Sequence, residues 1–328
     1  MKKTVVITDR ISRPDIEKHL LGDGFEVIFL PSVPADKRKE LLSNAYALLV
    51  WHSIIDIDIV SQLRNCQIVI RYGSGVDNLN LPLLKDKGIV VANCPDYGVD
   101  EVADSAAAMI LYGVRQLGEF AGANILQSVS WGAESKRELR RTRELPLGII
   151  GLGRIGIAVA LRMKSFGMQV GFYDPFTARG IEKSLNAKRF ETVDELILNS
   201  KIITLHCPLT PTTKEMVDSN FLGQLNTGTI LINTARGGLI KSLRELDIAL
   251  ESGHLGFLGM DVLPEEPPSI ESDIVIKWQD KNKEVSKRVL LTPHVAYYSS
   301  DSLTEIRSKA AQNLIRFTNG QDLVYRLI

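Results

Sequence analysis

The sequence lacks an excess of charge of either sign. Its 328 residues carry 39 Lys and Arg against 39 Asp and Glu, so the formal net charge at pH 7 is zero. A chain without a basic excess has no electrostatic attraction for nucleic acid or for an anionic membrane. We therefore expect small-molecule partners, with no direct contact to nucleic acid and none to a membrane.

Cysteines are few, and long uncharged apolar runs are missing. Cys66, Cys94 and Cys207 are odd in number and widely spaced, which is typical of a reducing compartment and excludes a zinc motif. The basic start of the chain meets Asp9 and Arg10 before the apolar run of a signal peptide is complete. No later stretch is apolar enough to span a bilayer. We expect a cytoplasmic protein with inert thiols and no metal.

Short β-branched segments alternate with helical patterns along most of the chain. With 45% hydrophobic residues, 328 residues suffice for two buried cores. Strands that alternate with helices predict parallel sheets covered on both faces. Two series of strands are predicted: 4–8, 25–29, 47–51 and 67–71, then 147–151, 168–173, 201–205, 228–233 and 255–260. The predicted fold class is α/β, with two doubly wound parallel-sheet domains.

Two further helical patterns set the expected domain boundaries. Residues 99–126 have apolar residues at helical spacing, and the polar stretch 127–144 that follows is interpreted as the crossing into a second domain. Residues 299–317 form an amphipathic pattern with no strand of its own, so we expect this helix to return to the first domain. The prediction is a substrate domain, 1–118 plus 296–328, with a nucleotide domain, 119–295, inserted.

A glycine-rich motif, Gly151-Leu152-Gly153-Arg154-Ile155-Gly156, follows one predicted strand and opens a predicted helix. Its glycines let the backbone approach a pyrophosphate, and the helix N-terminus favours the phosphate charge. The next strand ends in Asp174, 18 residues beyond Gly156. An acid there accepts hydrogen bonds from the ribose hydroxyls and repels a 2′-phosphate, so NAD is preferred over NADP. The alternative is a structural turn in which Asp174 only caps the next helix.

Polar residues also stand at later strand ends, where open α/β sheets bind ligands. His206-Cys207-Pro208 follows one strand and is expected on the adenine or ribose side, although His206 is as readily a structural residue and receives no chemical role. Thr234-Ala235-Arg236 and Asp261 follow the next two strands. Asp261 alone would be an ordinary turn residue.

Arg236, Glu266 and His294 follow the glycine motif in that order. They supply a planar cation for a carboxylate, a carboxylate to favour an imidazolium, and an imidazole to move a proton. These are the groups needed to reduce a 2-keto acid. Each is usually structural when it occurs singly, as an Arg-Gly turn, a Glu-Pro turn or a Pro-His loop.

This order resembles the D-isomer-specific 2-hydroxyacid dehydrogenase family over most of the chain. The resemblance implies NAD as cofactor, with a Rossmann domain inserted into a flavodoxin-like domain. It also implies that His294 is the acid and base, and that its partner is the glutamate directly before the proline, Glu266 and not Glu265. The family's matching aspartate, here Asp261, holds the nicotinamide carboxamide, and the loop with Pro208 and Thr213 touches the cofactor.

A glycine-rich turn in the first domain follows the predicted strand 67–71. Arg71 is expected to be a second cation for the substrate, and the backbone N–H groups of Gly73, Ser74 and Gly75 suit a carboxylate or an edge of the cofactor. The same glycine-rich segment is also expected to form a tight structural turn.

Further segments are similar to the branch that contains the C-terminal-binding proteins, namely 51–54, 71–78, 99–105, 172–175 and 292–299. By this match Ser74, Val102, His52 and the segments 207–213 and 294–297 border the cofactor or the substrate. Tyr297 stands where the branch usually carries tryptophan. The segment 268–288 is longer than in the family and is interpreted as a rim loop or a subunit contact.

The leading prediction is an NAD-dependent homodimeric dehydrogenase that works mainly as a 2-keto acid reductase. Two alternatives stay open, an NADH-responsive, corepressor-like binding protein and a short-form D-3-phosphoglycerate dehydrogenase. The first would not need all three catalytic residues, and it would use disordered tails that the chain lacks. The sequence does not identify the acid.

Overall fold

The structure is a computed structural model that describes residues 2–9, 15–121, 139–281 and 283–328. The strands are β1 Lys3–Ile7, β2 Phe25–Phe29, β3 Ala47–Val50, β4 Ile68–Arg71, β5 Val90–Ala92, β6 Leu147–Ile150, β7 Val170–Tyr173, β8 Lys188–Arg189, β9 Ile202–Leu205, β10 Thr229–Asn233, β11 Leu255–Met260 and β12 Val289–Leu291. The α-helices are α1 Asp15–Leu21, α2 Ala35–Asn44, α3 Ile57–Gln62, α4 Leu81–Asp86, α5 Val99–Val114, α6 Leu117–Ala121, α7 Arg154–Ser165, α8 Ile181–Ser184, α9 Val193–Leu198, α10 Ser219–Gly223, α11 Leu243–Glu251, α12 Asp273–Gln279 and α13 Ser300–Thr318.

These strands form two parallel sheets. The smaller sheet has the order β2-β1-β3-β4-β5, and the larger has the order β12-β11-β10-β9-β6-β7-β8. In each sheet the chain starts near the middle and builds outward in both directions, which is the doubly wound arrangement, flavodoxin-like in the first case and Rossmann-like in the second. The predicted fold class is confirmed.

The central strands are apolar on both faces, as parallel strands covered by helices must be. Every residue of β3, β6, β9 and β10 is buried. The sequence did not predict β5, β8 and β12, because each is only two or three residues long. A run that short has no periodic apolar pattern.

The chain forms two compact units, Met1–Gly98 with Tyr298–Ile328, and Val99–Tyr297. This division differs from the predicted boundary at residues 118 and 119. Helix α5 belongs to the second unit because its small and apolar residues pack on β6 and α7 in one buried cluster, which includes Ala103, Ala106 and Met109. The predicted helix over 99–126 is interrupted at Gln116, which has a φ of 50°. Residues 122–138 lie outside the described part of the chain.

Helix α13 packs in the first unit, where it covers the smaller sheet with Ile306, Ala310 and Leu314. The side chain of Ser299 accepts a hydrogen bond from Ser302 N at the start of this helix, and Ser302 Oγ accepts one from Ser299 N. This reciprocal capping fixes the first turn. The amphipathic pattern of the sequence therefore predicted this helix, which lies in the first unit.

The long segment 268–288 contains helix α12. Trp278 is only 2% exposed, and its ring N–H donates to Asp247 Oδ1 at 2.9 Å. Lys277 Nζ forms an ion pair with the other oxygen of Asp247 at 2.8 Å. The segment is therefore packed on α11 within the second unit, and it is not only a rim loop.

The three cysteines are buried and not bonded to one another. Burial raises the pKa of the Cys66 and Cys94 thiols to about 12 and that of Cys207 to about 11. Within the described ranges, no helix is long and apolar enough to cross a membrane. The same ranges contain no cluster of His, Cys, Asp and Glu side chains that could hold a metal ion.

Candidate active site

The glycine motif lies where the strand order of the larger sheet reverses. Strands β6 and β9 are neighbours, and Gly151 and Cys207 follow close after them. Gly151 has a φ of 94°, and a Cβ at this position would lie 2.5 Å from Cys207 N. A Cβ at Gly156 would collide with the carbonyl oxygen of Gly151, whereas a Cβ at Gly153 would meet nothing within 4 Å. Gly151 and Gly156 close the turn, and Gly153 leaves its outer side open for a ligand.

Asp174, at the end of β7, faces the glycine turn. Its Oδ2 accepts from Leu152 N at 2.7 Å, and its Oδ1 accepts from Phe176 N at 2.8 Å and Thr177 N at 3.0 Å. A carboxylate has about four accepting positions, so three backbone donors leave capacity for a hydroxyl. Asp174 therefore fixes the loop after β7, but it does not cap the next helix as the alternative predicted, because α8 has Gly180 as its N-cap. These contacts do not exclude a role at a ribose.

Three other predicted cofactor residues lie in the segments that follow β9 and β10 of the same sheet. Thr234 is 7% exposed, and its buried hydroxyl oxygen has no hydrogen-bond partner within the described residues. Pro208 and Thr213 close their loop through a hydrogen bond of 2.6 Å from Thr213 Oγ1 to the Pro208 carbonyl. His206 lies near a Thr204 hydroxyl at 2.9 Å, and burial lowers its pKa to about 3, so this imidazole is neutral.

An unpartnered buried hydroxyl, an open glycine and a helix beginning at Arg154 fit a dinucleotide. Helix α7 has twelve residues, from Arg154 to Ser165, so its N-terminus offers several backbone N–H groups to a phosphate. The residues present therefore suit a pyrophosphate at the glycine turn and an amide or hydroxyl group near Thr234.

Arg236 stands on a turn that Asn233 holds in place. The buried side chain of Asn233 donates to the Arg236 carbonyl at 2.9 Å and accepts from Ala235 N at 3.0 Å. The next residue, Gly237, lies so close to the backbone of Leu263 that any Cβ would clash with it. This contact brings the Arg236 turn against the segment that leads to Glu266.

A hydrogen bond joins the side chains of Glu266 and His294. His294 Nδ1 lies 2.7 Å from Glu266 Oε2, and both side chains are about one-third exposed, at 35% and 36%. The other oxygen, Glu266 Oε1, accepts from Leu263 N at 2.8 Å. Of the two adjacent glutamates, the structure therefore brings Glu266 to the histidine, as the position before the proline predicted.

The pKa of Glu266 is lowered from its ordinary value. Burial alone would raise it, but the hydrogen bond and charge of His294, the Leu263 N–H and the charge of Arg236 outweigh burial. The carboxylate is therefore ionised at neutral pH. Arg236 and His294 thus both act on this carboxylate through their charge.

The turn that carries His294 is fixed by Asp261. The buried Asp261 carboxylate accepts from the Thr292 hydroxyl at 2.6 Å, and from Val295 N and Ala296 N at 2.9 Å each. His294 N donates to the Asp261 carbonyl at 2.7 Å. His294 has a φ of 54°, a left-handed conformation that costs energy and persists only where its surroundings impose it. Most of the carboxylate of Asp261 thus serves the histidine turn, a use that the sequence did not reveal.

The residues around this turn include an aromatic side chain and part of α5. The rings of His294 and Tyr297 meet edge to face, with centroids 6.3 Å apart. Ser105 Oγ, on α5, donates to the Ala296 carbonyl at 3.1 Å, and Val102 is buried one turn earlier on the same helix. Helix α5 therefore supports the histidine turn from the second unit itself.

In the first unit, a carboxylate holds the loop that contains His52. Asp9 Oδ2 accepts from Trp51 N at 2.7 Å, and Asp9 Oδ1 accepts from His52 N and Ser53 N at 2.9 Å each. Burial would raise the pKa of Asp9, but these donors and the Thr8 hydroxyl outweigh it and lower the pKa. This role was not predicted from the sequence, although Asp9 follows a predicted strand directly, as Asp174 does.

The predicted substrate loop of the first unit is also internally fixed. Arg71 Nε donates to Asn78 Oδ1 at 3.2 Å, and Asn93 Nδ2 donates to the Ser74 carbonyl at 2.8 Å. Gly73 has a φ of 142°, and a Cβ there would run into the guanidinium of Arg71. The turn therefore requires glycine at this position.

The family model that matches the chain is the NAD binding domain of the D-isomer specific 2-hydroxyacid dehydrogenases, over residues 107–296. The chain therefore belongs to this family. The resemblance predicted from the motifs is confirmed, and so is NAD as the cofactor of this domain. The match extends from α5 through the histidine turn.

Two curated relatives and one solved structure illustrate the similarity. The chain is 30% identical over 321 residues to C-terminal-binding protein 1 of Caenorhabditis elegans, covering 94% of this chain and 43% of that protein. It is 29% identical over 323 residues to D-3-phosphoglycerate dehydrogenase of Bacillus subtilis (strain 168), covering 96% and 57%. The chain spans about half the length of these relatives. D-lactate dehydrogenase from Aquifex aeolicus, solved with NAD and lactic acid, aligns with a TM-score of 0.83 at 27% identity over 97% of this chain and 96% of that one.

Proposed function

We propose that this member of the family is an NAD-dependent oxidoreductase that interconverts a 2-keto acid and a D-2-hydroxy acid, mainly in the direction of keto acid reduction. The observation that carries the proposal is the 2.7 Å contact between His294 Nδ1 and Glu266 Oε2. An imidazole paired with a carboxylate can hold and release a proton, and the neighbouring arginine supplies a cation for an acid substrate.

The second unit provides the residues for the cofactor. The glycine turn and the N-terminus of α7 would hold the pyrophosphate, Asp174 the adenosine ribose and Thr234 the nicotinamide end. When bound, NADH supplies the hydride. The remaining residues of this proposed site are Val102, Arg154, Ile155, Cys207, Pro208, Thr213, Ala235 and Asp261.

The chemistry of the chain's own residues is then proton transfer and orientation. Arg236 binds the substrate carboxylate with its planar fork and polarises the carbonyl oxygen. Because Nδ1 of His294 faces Glu266, Nε2 is the nitrogen that gives its proton to that oxygen while the carbonyl carbon accepts the hydride. The product is a 2-hydroxy acid, and the neutral imidazole takes the proton back in the reverse direction. Arg71, His52, Tyr297 and the turn Gly73–Gly75 are assigned to substrate binding on the family resemblance.

The experiment described below also tests two alternative functions. C-terminal-binding protein 1 of Caenorhabditis elegans and D-3-phosphoglycerate dehydrogenase of Bacillus subtilis are both relatives. A binding protein that only responds to NADH has no need of an acid, a base and a substrate cation together. The combined presence of Arg236, Glu266 and His294 therefore favours an enzyme.

The test is a panel of 2-keto acids with NADH, followed by the loss of NADH absorbance. Glyoxylate, hydroxypyruvate, its 3-phosphate, phenylpyruvate and 4-methylthio-2-oxobutyrate cover the main side-chain classes. Turnover of at least one, with a D-configured product, is expected. NADH binding without any turnover would favour the binding protein, preference for the phosphorylated acid would favour the phosphoglycerate enzyme, and absence of NADH binding would refute the nucleotide site. A homodimer in the cytoplasm is also proposed, and light scattering tests the dimer.

A further inference from the structure

Arg189 is a nearly buried cation behind the loop that carries Asp174. It ends β8, the short edge strand beside β7, and only 9% of its side chain is exposed. The guanidinium carbon lies 4.8 Å from the centre of the Phe172 ring, a cation–π distance. A guanidinium in such a position is held in one orientation, and its donors point to defined acceptors.

Those acceptors are the backbone carbonyls of the loop that follows β7. Arg189 Nη1 donates to the Asp174 carbonyl at 3.2 Å, and Nη2 donates to the Thr177 carbonyl at 3.3 Å and the Ala178 carbonyl at 2.8 Å. Arg189 Nε donates to Glu182 Oε2 at 3.1 Å. The fork thus binds three carbonyls that no single lysine ammonium could reach with the same planar geometry.

The other side of this loop is held by Asp174 itself. Its Oδ1 accepts from Phe176 N and Thr177 N, and its Oδ2 accepts from Leu152 N of the glycine turn. Arg189 therefore donates hydrogen bonds to carbonyls of the same short loop whose N–H groups orient the Asp174 carboxylate. Loss of the guanidinium would leave three carbonyls without this donor and would free the loop to turn the carboxylate away.

We propose that Arg189 is a cofactor-positioning residue: it acts through Asp174 to set the affinity for NADH, without contact to the reacting atoms. This inference rests on the proposed nucleotide site at Asp174. It differs from a stabilising role in general, because its effect must pass through one named carboxylate.

Arg179 provides a matched control. It lies in the same loop region and forms a two-point ion pair with Glu191, at 2.6 Å and 2.9 Å, but its side chain is 74% exposed. Exposed ion pairs contribute little, so Arg179→Gln removes the same charge from the same region without removing the carbonyl contacts.

The experiment is a fluorescence titration of NADH against the full chain and its variants. Arg189→Gln should raise the Kd for NADH about tenfold, since loss of buried charged hydrogen bonds costs on the order of 1.4 kcal/mol. Arg189→Lys should raise it by a smaller factor, and Arg179→Gln should leave it within about twofold of the wild type. At saturating NADH, kcat should stay within about twofold of the wild-type value, because positioning of the cofactor affects binding and not proton transfer.

A double-mutant cycle decides whether Asp174 carries the effect. In an Asp174→Ala background, Arg189→Gln should add less than about twofold to the Kd, because coupled residues are not additive. A full tenfold loss in that background, or equal Kd values for Arg189→Gln and Arg179→Gln, would overturn the inference. If Arg189→Gln does not fold cooperatively, the Kd of Arg189→Lys for NADH is the deciding measurement. A Kd of that variant equal to the wild-type value overturns the inference. A wild type that binds no NADH would instead refute the proposed function.

Discussion

The hydrogen bond between His294 and Glu266 leads to the most direct prediction about the chemistry. Glu266→Gln keeps the size of the side chain and an acceptor oxygen, but it removes the negative charge that faces the imidazole. Without that charge the imidazolium form is less stable, and fewer enzyme molecules hold a proton at a given pH. As the pH rises, the rate of keto acid reduction should therefore begin to fall at a lower pH in the variant than in the wild type.

The structure sets the size of this shift. Opposite charges about 4 Å apart attract by about 1 kcal/mol in bulk water and by about 4 kcal/mol at an effective dielectric constant of about 20. His294 and Glu266 are 35% and 36% exposed, so solvent screening places the net effect near the lower end, at about 1–1.5 kcal/mol. That corresponds to about one pH unit. The pKa of Glu266 is lowered, so its charge is present throughout the neutral range and is lost only as the pH falls through that lowered value.

The assay is kcat/KM for the best keto acid of the panel across the neutral and alkaline range. Glu265→Gln is the control, because the carboxylate that contacts His294 is that of Glu266. His294→Ala should lose most turnover and still bind NADH. If Glu265→Gln shifts the pH profile of kcat/KM and Glu266→Gln does not, then Glu265 and not Glu266 is the partner of His294. A profile that moves with neither would remove the carboxylate from the mechanism.

Three other predictions test single residues. Asp174→Ala should raise the KM for NADH and weaken discrimination against NADPH, since no carboxylate would oppose a 2′-phosphate; equal use of both cofactors by the wild type would contradict this. Arg236→Lys should reduce kcat/KM for a keto acid by a factor equivalent to about 2–4 kcal/mol of transition-state stabilisation, because the charge stays but the planar guanidinium is lost. The affinity for NADH should change only a few-fold, and an equal loss of NADH binding would place Arg236 in the nucleotide site. Asp9→Asn should lower the melting temperature at neutral pH. Because the pKa of Asp9 is lowered in the folded state, this contribution is present above about pH 4 and fades as the pH falls further, so a gap that persists in acid would contradict it.

Local patterns allowed most of the fold to be predicted from the sequence. The strands at the centre of both sheets are apolar runs of four to six residues, and the glycine motif lies between such a run and a helix, so each has a clear signal. The edge strand β8 is Lys188–Arg189, which looks like a charged loop in the sequence. Its role becomes visible only when Phe172 lies beside Arg189 in the sheet.

Contacts between distant residues were beyond the reach of local patterns. Glu17 has no exposed side-chain surface, and it accepts hydrogen bonds from Arg307, 290 positions away, and from the Tyr72 hydroxyl. A glutamate on a short helix normally faces solvent, so nothing in its neighbourhood predicted this burial. The same limit applied to Asp261, whose position at a strand end was recognised while its three donors were not.

The two carboxylates Asp9 and Asp261 show that the units share one way of fixing a histidine. Each follows a strand of its own sheet, and each accepts backbone N–H groups from the loop after another strand, the loop of His52 in the first unit and that of His294 in the second. Ionised carboxylates form stronger hydrogen bonds with backbone N–H groups than neutral acceptors do, so each loop is held by charge and not by packing alone. A loop held in this way has its backbone fixed before any ligand arrives, which lowers the cost of assembling a reactive geometry. The acid at the end of a parallel strand thus has two uses in this chain, as the proposed ligand for a ribose at Asp174 and as an anchor for a histidine loop at Asp9 and Asp261. The number of backbone donors does not separate these uses, because Asp174 and Asp9 each accept three backbone N–H groups. What distinguishes Asp174 is its place beside the glycine turn, where a Cβ at Gly153 would meet nothing within 4 Å.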